Sequence, residues 1–267
     1  MELKNFEKTA KNGKKFFFFN RFSDMIKLVE DNRNNFSWSD PSESHDEAFT
    51  GTSSMDEAIN IAKYGWKEGI KKLNSEIKIS NIKMEYKNEY SVVGSHVSVP
   101  RYLNGHPQNM IKKVQIPKRD NVINLIRFAS VTSGTSARQM LDGGVKFVQL
   151  VQKLESQGYR CNVDIVFASK HYIDNTDQLI RVRIKSSNER LNIASMAFPM
   201  CHPSTFRRFV FKIRYLETGS ADGYRSWNSY SKEDMDKWIK PFLNDNDYLV
   251  PLLIDDPETY ELTKVVA

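Results

Sequence analysis

Apolar residues recur along this chain with two periods, and the switch between them outlines the elements. Residues 16–19 form a continuous phenylalanine run that reads as a short buried strand. Met25, Ile26, Leu28 and Val29 follow at helical spacing, so a helix is expected to about residue 31, capped by Ser23. A second stripe, carried by Met55, Ala58, Ile59, Ala62, Trp66, Ile70 and Leu73, predicts an amphipathic helix with Trp66 as a core anchor. Ser53 or Ser54 can cap it, and Asp56 and Glu57 lie near its positive end. Gly65 and Gly69 interrupt the stripe. Each weakens a helix by about 1 kcal/mol relative to alanine, which predicts a break or a tight packing contact.

The middle third is the best organised. Residues 121–131 are apolar enough for a buried strand, 132–144 read as a loop, and 145–159 form a helix with Phe147, Val148, Val151 and Leu154 on one face. Residues 161–169 return as a second apolar strand. A strand, crossover helix and strand in this order predict a parallel pair with a right-handed connection.

Elsewhere the pattern is less regular. Residues 32–51 are polar and read as a loop anchored by Trp38 and Phe49. Loose alternation over 77–99 predicts two or three strands, followed by a turn-rich bend at 100–110 in which His106 sits on a surface turn. Residues 178–185 read as a strand with basic alternate positions. Short helices are expected at 191–198 and 203–208, then a strand at 209–215, a turn-rich loop at 219–230, a helix capped by Ser231 and stopped near Pro241, and a final edge strand at 250–256. No internal repeat, low-complexity tract or linker stands out, so one α/β domain over residues 1–267 is expected. Its sheet is mixed and centrally parallel, flanked by helices, with a polar loop at 32–51 and an acidic portion at 219–267.

Composition narrows the class. Hydrophobic residues make up 40% and charged residues 27% of the 267, the balance of a globular protein. No run approaches the about 18 apolar residues that span a bilayer, and residues 1–15 are polar and lysine-rich, so neither a membrane segment nor a signal peptide is expected. That places the protein in the cytoplasm. The net charge of +6 is unevenly spread: residues 233–261 hold nine acids against two bases, which leaves the first 232 residues strongly basic.

Candidate chemistry is sparse. Cys161 and Cys201 stand in apolar stretches without partners at zinc-ligand spacing, and His202, adjacent to Cys201, points elsewhere on a helix. Two buried free thiols and no metal are expected. Thr132, Ser133, Gly134, Thr135 and Ser136 lie between a buried strand and a helix, at the carboxyl end where α/β sheets bind ligands. Gly134 stands alone and Arg138 is the nearest base, so no phosphate-binding loop is present. Ser133 lies outside a Gly-x-Ser-x-Gly elbow, so acyl transfer has no foundation. A third segment interleaves Arg207, Arg208, Lys212 and Arg214 with Phe206, Phe209, Phe211 and Tyr215, a density suited to a nucleic-acid backbone and its bases. As a strand, it would turn Phe209, Phe211 and Ile213 inward and Val210, Lys212 and Arg214 outward.

The hydroxyl loop resembles the metal-binding loop of von Willebrand factor A domains, where an Asp-x-Ser-x-Ser motif ends the first strand and the hydroxyls hold magnesium. Aligning Ser133 and Thr135 with those hydroxyls places Val131 at the aspartate position, which implies a degenerate, metal-free version of that fold over 121–169. Over most of its length, four blocks in order, FTGTSSMDEAINIAKYGW, VPRYLNGHPQNM, GGVKFVQLVQKLESQGY and MAFPMCHPSTFRRFVF, resemble a family of uncharacterised proteins of bacteriophages and plasmids. The resemblance implies a mobile-element origin and a bacterial host, and it carries no catalytic residue or cofactor.

The expected function is therefore non-enzymatic binding of another protein, with a host factor among the candidates. Thr132, Ser133, Thr135, Ser136 and Arg138 would form the recognition surface. The alternative is nucleic-acid binding in replication or packaging through Lys112, Lys113, Lys118, Arg119, Arg207, Arg208, Lys212 and Arg214. No catalytic group, cofactor or oligomeric state is assigned.

Overall fold

A computed structural model describes residues 6–11, 14–36, 40–76, 85–116, 122–171, 177–218, 224–226, 239, 243–244, 247–252 and 257. Two strands, β1 (Phe6–Lys11) and β2 (Lys14–Phe19), open the chain as an antiparallel pair. Helix α1 (Phe22–Asp31) follows and buries Met25, Ile26, Leu28 and Val29. Arg21, in extended backbone, occupies its cap position without a side-chain hydrogen bond, so Ser23 lies inside the helix and is not its cap.

The polar stretch after α1 contains a short 3-10 turn, Pro41–Glu43, and helix α2 (Glu47–Thr50). The stripe that begins at Met55 divides into α3 (Met55–Tyr64) and α4 (Lys67–Glu76). Ser54 caps α3, its hydroxyl accepting the Glu57 N–H at 3.1 Å. The break falls at Gly65, whose φ of 99° suits glycine. Gly69 lies under Trp66, where an added Cβ would stand 2.0 Å from a ring carbon.

Strands β3 (Glu85–Ser91), β4 (His96–Val97) and β5 (Met110–Ile116) form an antiparallel sheet in the order β3-β5-β4. Between β4 and β5 lies helix α5 (Val99–Leu103), where the sequence predicts only a bend. Strand β6 (Val122–Phe128), helix α6 (Ala137–Ser156) and strand β7 (Arg160–His171) then realise the crossover unit, with β6 and β7 parallel. α6 starts eight residues before the apolar stripe suggests, because Gly143 and Gly144 belong to it. Gly144 is needed there: a Cβ would come within 2.5 Å of Cys201 Sγ and the Met200 carbonyl.

β8 (Asp177–Lys185) returns antiparallel to β7 and parallel to β2, and β10 (Asp247–Val250) lies parallel to β6. β9 (Tyr224–Ser226) also pairs with β7. The larger sheet runs β1-β2-β8-β7-β6-β10, mixed, with parallel ladders inside it on both sides of the antiparallel β7/β8 pair. Helix α7 (Ile193–Cys201) crosses one face, and its side chains join those of α1, α3, α4 and α6 in the main core. A smaller cluster, including Ile126, Phe128, Val166, Leu179 and Ile239, covers the other face.

The strand expected at 209–215 is helical. Thr205–Val210 is a π-helical segment that continues into α8 (Phe211–Thr218). Residues 205–210 and 212–215 are all buried, so this segment passes through the interior with neighbours on every side. Phe206 stacks on Phe167 of β7, and Phe209 on Phe22 of α1. The expected helix at 231–241 and most of the acidic portion lie outside the described residues.

Candidate functional site

The loop between β6 and α6 lies at the carboxyl end of β6. Val131 is buried, Thr132 and Thr135 are half-buried, and Ser133, Gly134 and Ser136 face solvent. Local bonds account for most of the hydroxyls. Ser136 caps α6 in a reciprocal box: its Oγ accepts the Gln139 N–H at 3.2 Å, while Gln139 Oε1 accepts the Ser136 N–H at 2.8 Å. The Thr132 and Thr135 hydroxyls stand 3.4 Å apart across a turn closed by Thr135 N–H and the Thr132 carbonyl at 3.1 Å. Ser133 is unused by these bonds, and Arg138 is 88% exposed, with its Nε 3.9 Å from Asp142.

Behind this loop, the enclosed helix bonds to its backbone. Arg207 donates to the Thr135 carbonyl and, at 2.7 Å, to the Phe49 carbonyl, and its guanidinium lies 4.1 Å above the Phe49 ring. Arg208 donates to the Ser42, Ser44 and Thr52 carbonyls and to the Thr50 and Thr52 hydroxyls, at 2.5–3.1 Å. Lys212 donates to the Asn35 carbonyl at 2.7 Å and to Asp40 at 3.1 Å. These cations thus bind Asn35 and the segment of residues 40–52 to the enclosed helix. Burial lowers the pKa of Arg207 and Arg208 from the usual arginine range.

The basic side chains of the nucleic-acid alternative therefore separate into three groups. Arg207, Arg208, Lys212 and Arg214 are 0–2% exposed and turn inward, because the helix that carries them is enclosed, so they present no surface to a phosphate backbone. Lys112 and Lys113 are exposed on β5. Lys118 and Arg119 lie outside the described residues.

Other candidate chemistry is also placed. Cys161 on β7 and Cys201 at the end of α7 are free and buried, and burial pushes each thiol up to about 12. His202 packs flat on Phe198 and edge-on to Trp66, with ring centroids at 4.7 and 4.6 Å, and Nδ1 accepts the Ser204 N–H at 3.2 Å. Desolvation pushes its pKa down to about 4, so the ring is neutral. A void of about 10 Å³ beside Arg127, Cys201 and His202 has room for about one water and no substrate. Among the described residues, no group of three or more His, Cys, Asp or Glu side chains is placed to hold a metal ion. His106 is exposed, beside Gly105 at φ 68°.

Two open surfaces stand out among the described residues. A groove of about 1110 Å³ runs between α1, the end of α3, the end of β8 and the start of α7, with Arg21, Lys27, Lys63, Arg183 and Arg190 on its walls. The other surface is the β3-β5-β4 arm, where Val92 and Val93 in the connection from β3 to β4, and Val99, Tyr102 and Leu103 on α5, are 61–76% exposed. Val99, Tyr102 and Leu103 share one face of α5 by their i, i+3, i+4 spacing. Sequence reasoning predicted strands within 77–99, where β3 and β4 lie, but missed β5 and the exposure of the arm. The available signal was the five large apolar residues at 92–103, set in turns and a short helix with no enclosing apolar stripe.

A model of the domain of unknown function DUF7192 matches residues 7–245, nearly the whole described fold. This chain belongs to that family. The DUF7192 match includes the arm, the hydroxyl loop and the enclosed helix of residues 205–218, which fall within one family domain. No curated protein and no solved structure matches the chain. Among the described residues, no helix is long and apolar enough to cross a membrane.

Proposed function

We propose that this DUF7192 protein is a non-enzymatic accessory protein of a bacteriophage or plasmid, acting in the cytoplasm of a bacterial host, and that it binds another protein there, a host factor. The exposed apolar side chains of the arm carry this reading. Scattered surface leucines and valines need no explanation, whereas a concentration of large exposed apolar side chains within residues 92–103 is characteristic of protein contact surfaces. Ser133 and Arg138 offer a polar contact on the hydroxyl loop. Thr132, Thr135 and Ser136 contribute through the shape that their internal bonds impose. The parallel β6–α6–β7 unit, with the loop at its carboxyl end, supports the likeness to a degenerate von Willebrand factor A domain, in which buried Val131 replaces the metal-binding aspartate.

A photo-crosslinking residue at Leu103 or Val93, introduced in host cells, tests this. The expected result is one discrete protein adduct, absent when the probe is moved to Lys27 in the basic groove. Adducts equally diverse from both positions would overturn the reading.

Nucleic-acid binding is the second reading, and exposed Lys112 and Lys113 favour it. Retention on DNA or RNA that falls steeply with salt, and that weakens on changing both lysines to glutamine, would replace the protein-binding account.

A further inference from the structure

The outer edge of β3 is complementary to itself. β3 pairs with β5 on one side, and among the described residues no strand pairs with the other. Lys87, Asn88, Glu89 and Tyr90 are exposed.

The direction of the backbone groups follows from the neighbouring strand. Ile111 of β5 accepts the Ser95 N–H at 2.9 Å on the β4 side, so its main-chain groups point away from β3. Tyr90 stands opposite Ile111, in a pair whose members do not bond each other. By strand alternation, Tyr86, Asn88 and Tyr90 then direct their N–H and C=O groups to the open edge. Such an edge is a template for another strand.

We propose that a second copy of this chain occupies it, β3 against β3, antiparallel, with the two-fold axis at Asn88. In that register the two Asn88 residues exchange both main-chain bonds, and Tyr86 of each copy does the same with Tyr90 of the other. Lys87 falls directly opposite Glu89 at a non-hydrogen-bonded position, where side chains approach most closely. Moving the axis by one residue sets Lys87 against Lys87 or Glu89 against Glu89, so charge selects the Asn88 register. The contact is isologous and closes after two copies. It joins two arm sheets into one and leaves Leu103 and Val93 to the partner protein proposed above, on which it does not depend.

Analytical ultracentrifugation of the full chain over a wide concentration range tests the proposal. The wild type is expected to show a reversible monomer–dimer equilibrium. Lys87→Glu places like charges opposite each other twice and weakens the dimer about tenfold; adding Glu89→Lys restores it. Asn88→Pro removes an N–H that β5 does not use, so it suits an edge strand and yields monomer. A wild type that is monomeric at every concentration would overturn the proposal. So would a dimer that is indifferent to Lys87→Glu, whether or not Asn88→Pro folds.

Discussion

The Lys212 ammonium and the Asp40 carboxylate form an ion pair at 3.1 Å, and neither side chain has any solvent exposure. The pair joins the enclosed helix to the segment between α1 and α2, and each partner has further bonds. Asp40 accepts the Ser42 N–H and hydroxyl at 3.0 and 2.6 Å. Removing one charge strands the other in a medium that solvates it poorly. Asp40→Ala is expected to destabilise the fold by about 3–5 kcal/mol in urea unfolding, whereas the apolar double variant Asp40→Leu with Lys212→Met should lose much less.

His202 makes stability depend on pH in a defined window. Its folded pKa of about 4 lies below the ordinary histidine value of 6.5, so the unfolded chain binds the extra proton first as pH falls. Stability from this residue is complete above about pH 6.5, declines as pH falls and levels off below about 4, for a loss of about 3 kcal/mol. His202→Gln should flatten this portion of the stability profile, measured by chemical denaturation at a series of pH values.

The two thiols should be inert in the native state. Burial raises both Cys161 and Cys201 to about 12, which leaves almost no thiolate at neutral pH. Alkylation followed by mass spectrometry is expected to show modification only at the rate of unfolding, and both cysteines should react together in denaturant.

Ser136 and Ser133 should separate stability from recognition. Ser136→Ala removes a helix cap and is expected to cost about 1 kcal/mol of stability. Ser133→Ala breaks none of the loop's internal bonds, so thermal unfolding should be unchanged while capture of the partner weakens.

The sequence was most legible where one face of an element is buried and the other is wet. Met25, Ile26, Leu28 and Val29 report the inner face of α1, and the β6–α6–β7 unit follows from apolar strands flanking a single helical stripe. Gly65 also marked a real break. Legibility failed where that contrast disappears. Between Thr205 and Tyr215 every face is covered, so Arg207, Arg208, Lys212 and Arg214 lie inside, and their alternation with phenylalanine imitates a strand. Arg208 and Lys212 bond to carbonyls and hydroxyls of residues 35–52 and to Asp40, more than 150 residues away in sequence, which no local pattern can reveal. Gly143 and Gly144 mislead for a related reason: they read as the end of the loop at 132–144, yet Gly144 is small because α7 passes against it. Of the candidate site, the hydroxyl loop was correctly located between strand and helix, but the role of Ser136 as a cap depends on the helix starting at Ala137. The exposure of the arm left one local mark, the five large apolar residues at 92–103 that belong to no amphipathic stripe.

The most direct test of the central claim is affinity capture of the tagged chain from host cells, with and without nuclease, comparing wild type with a Val93→Lys, Leu103→Lys variant. The account predicts a discrete protein partner that survives nuclease and is lost from the folded double variant. Recovery that collapses on nuclease treatment, or a partner retained equally by the variant, would contradict it.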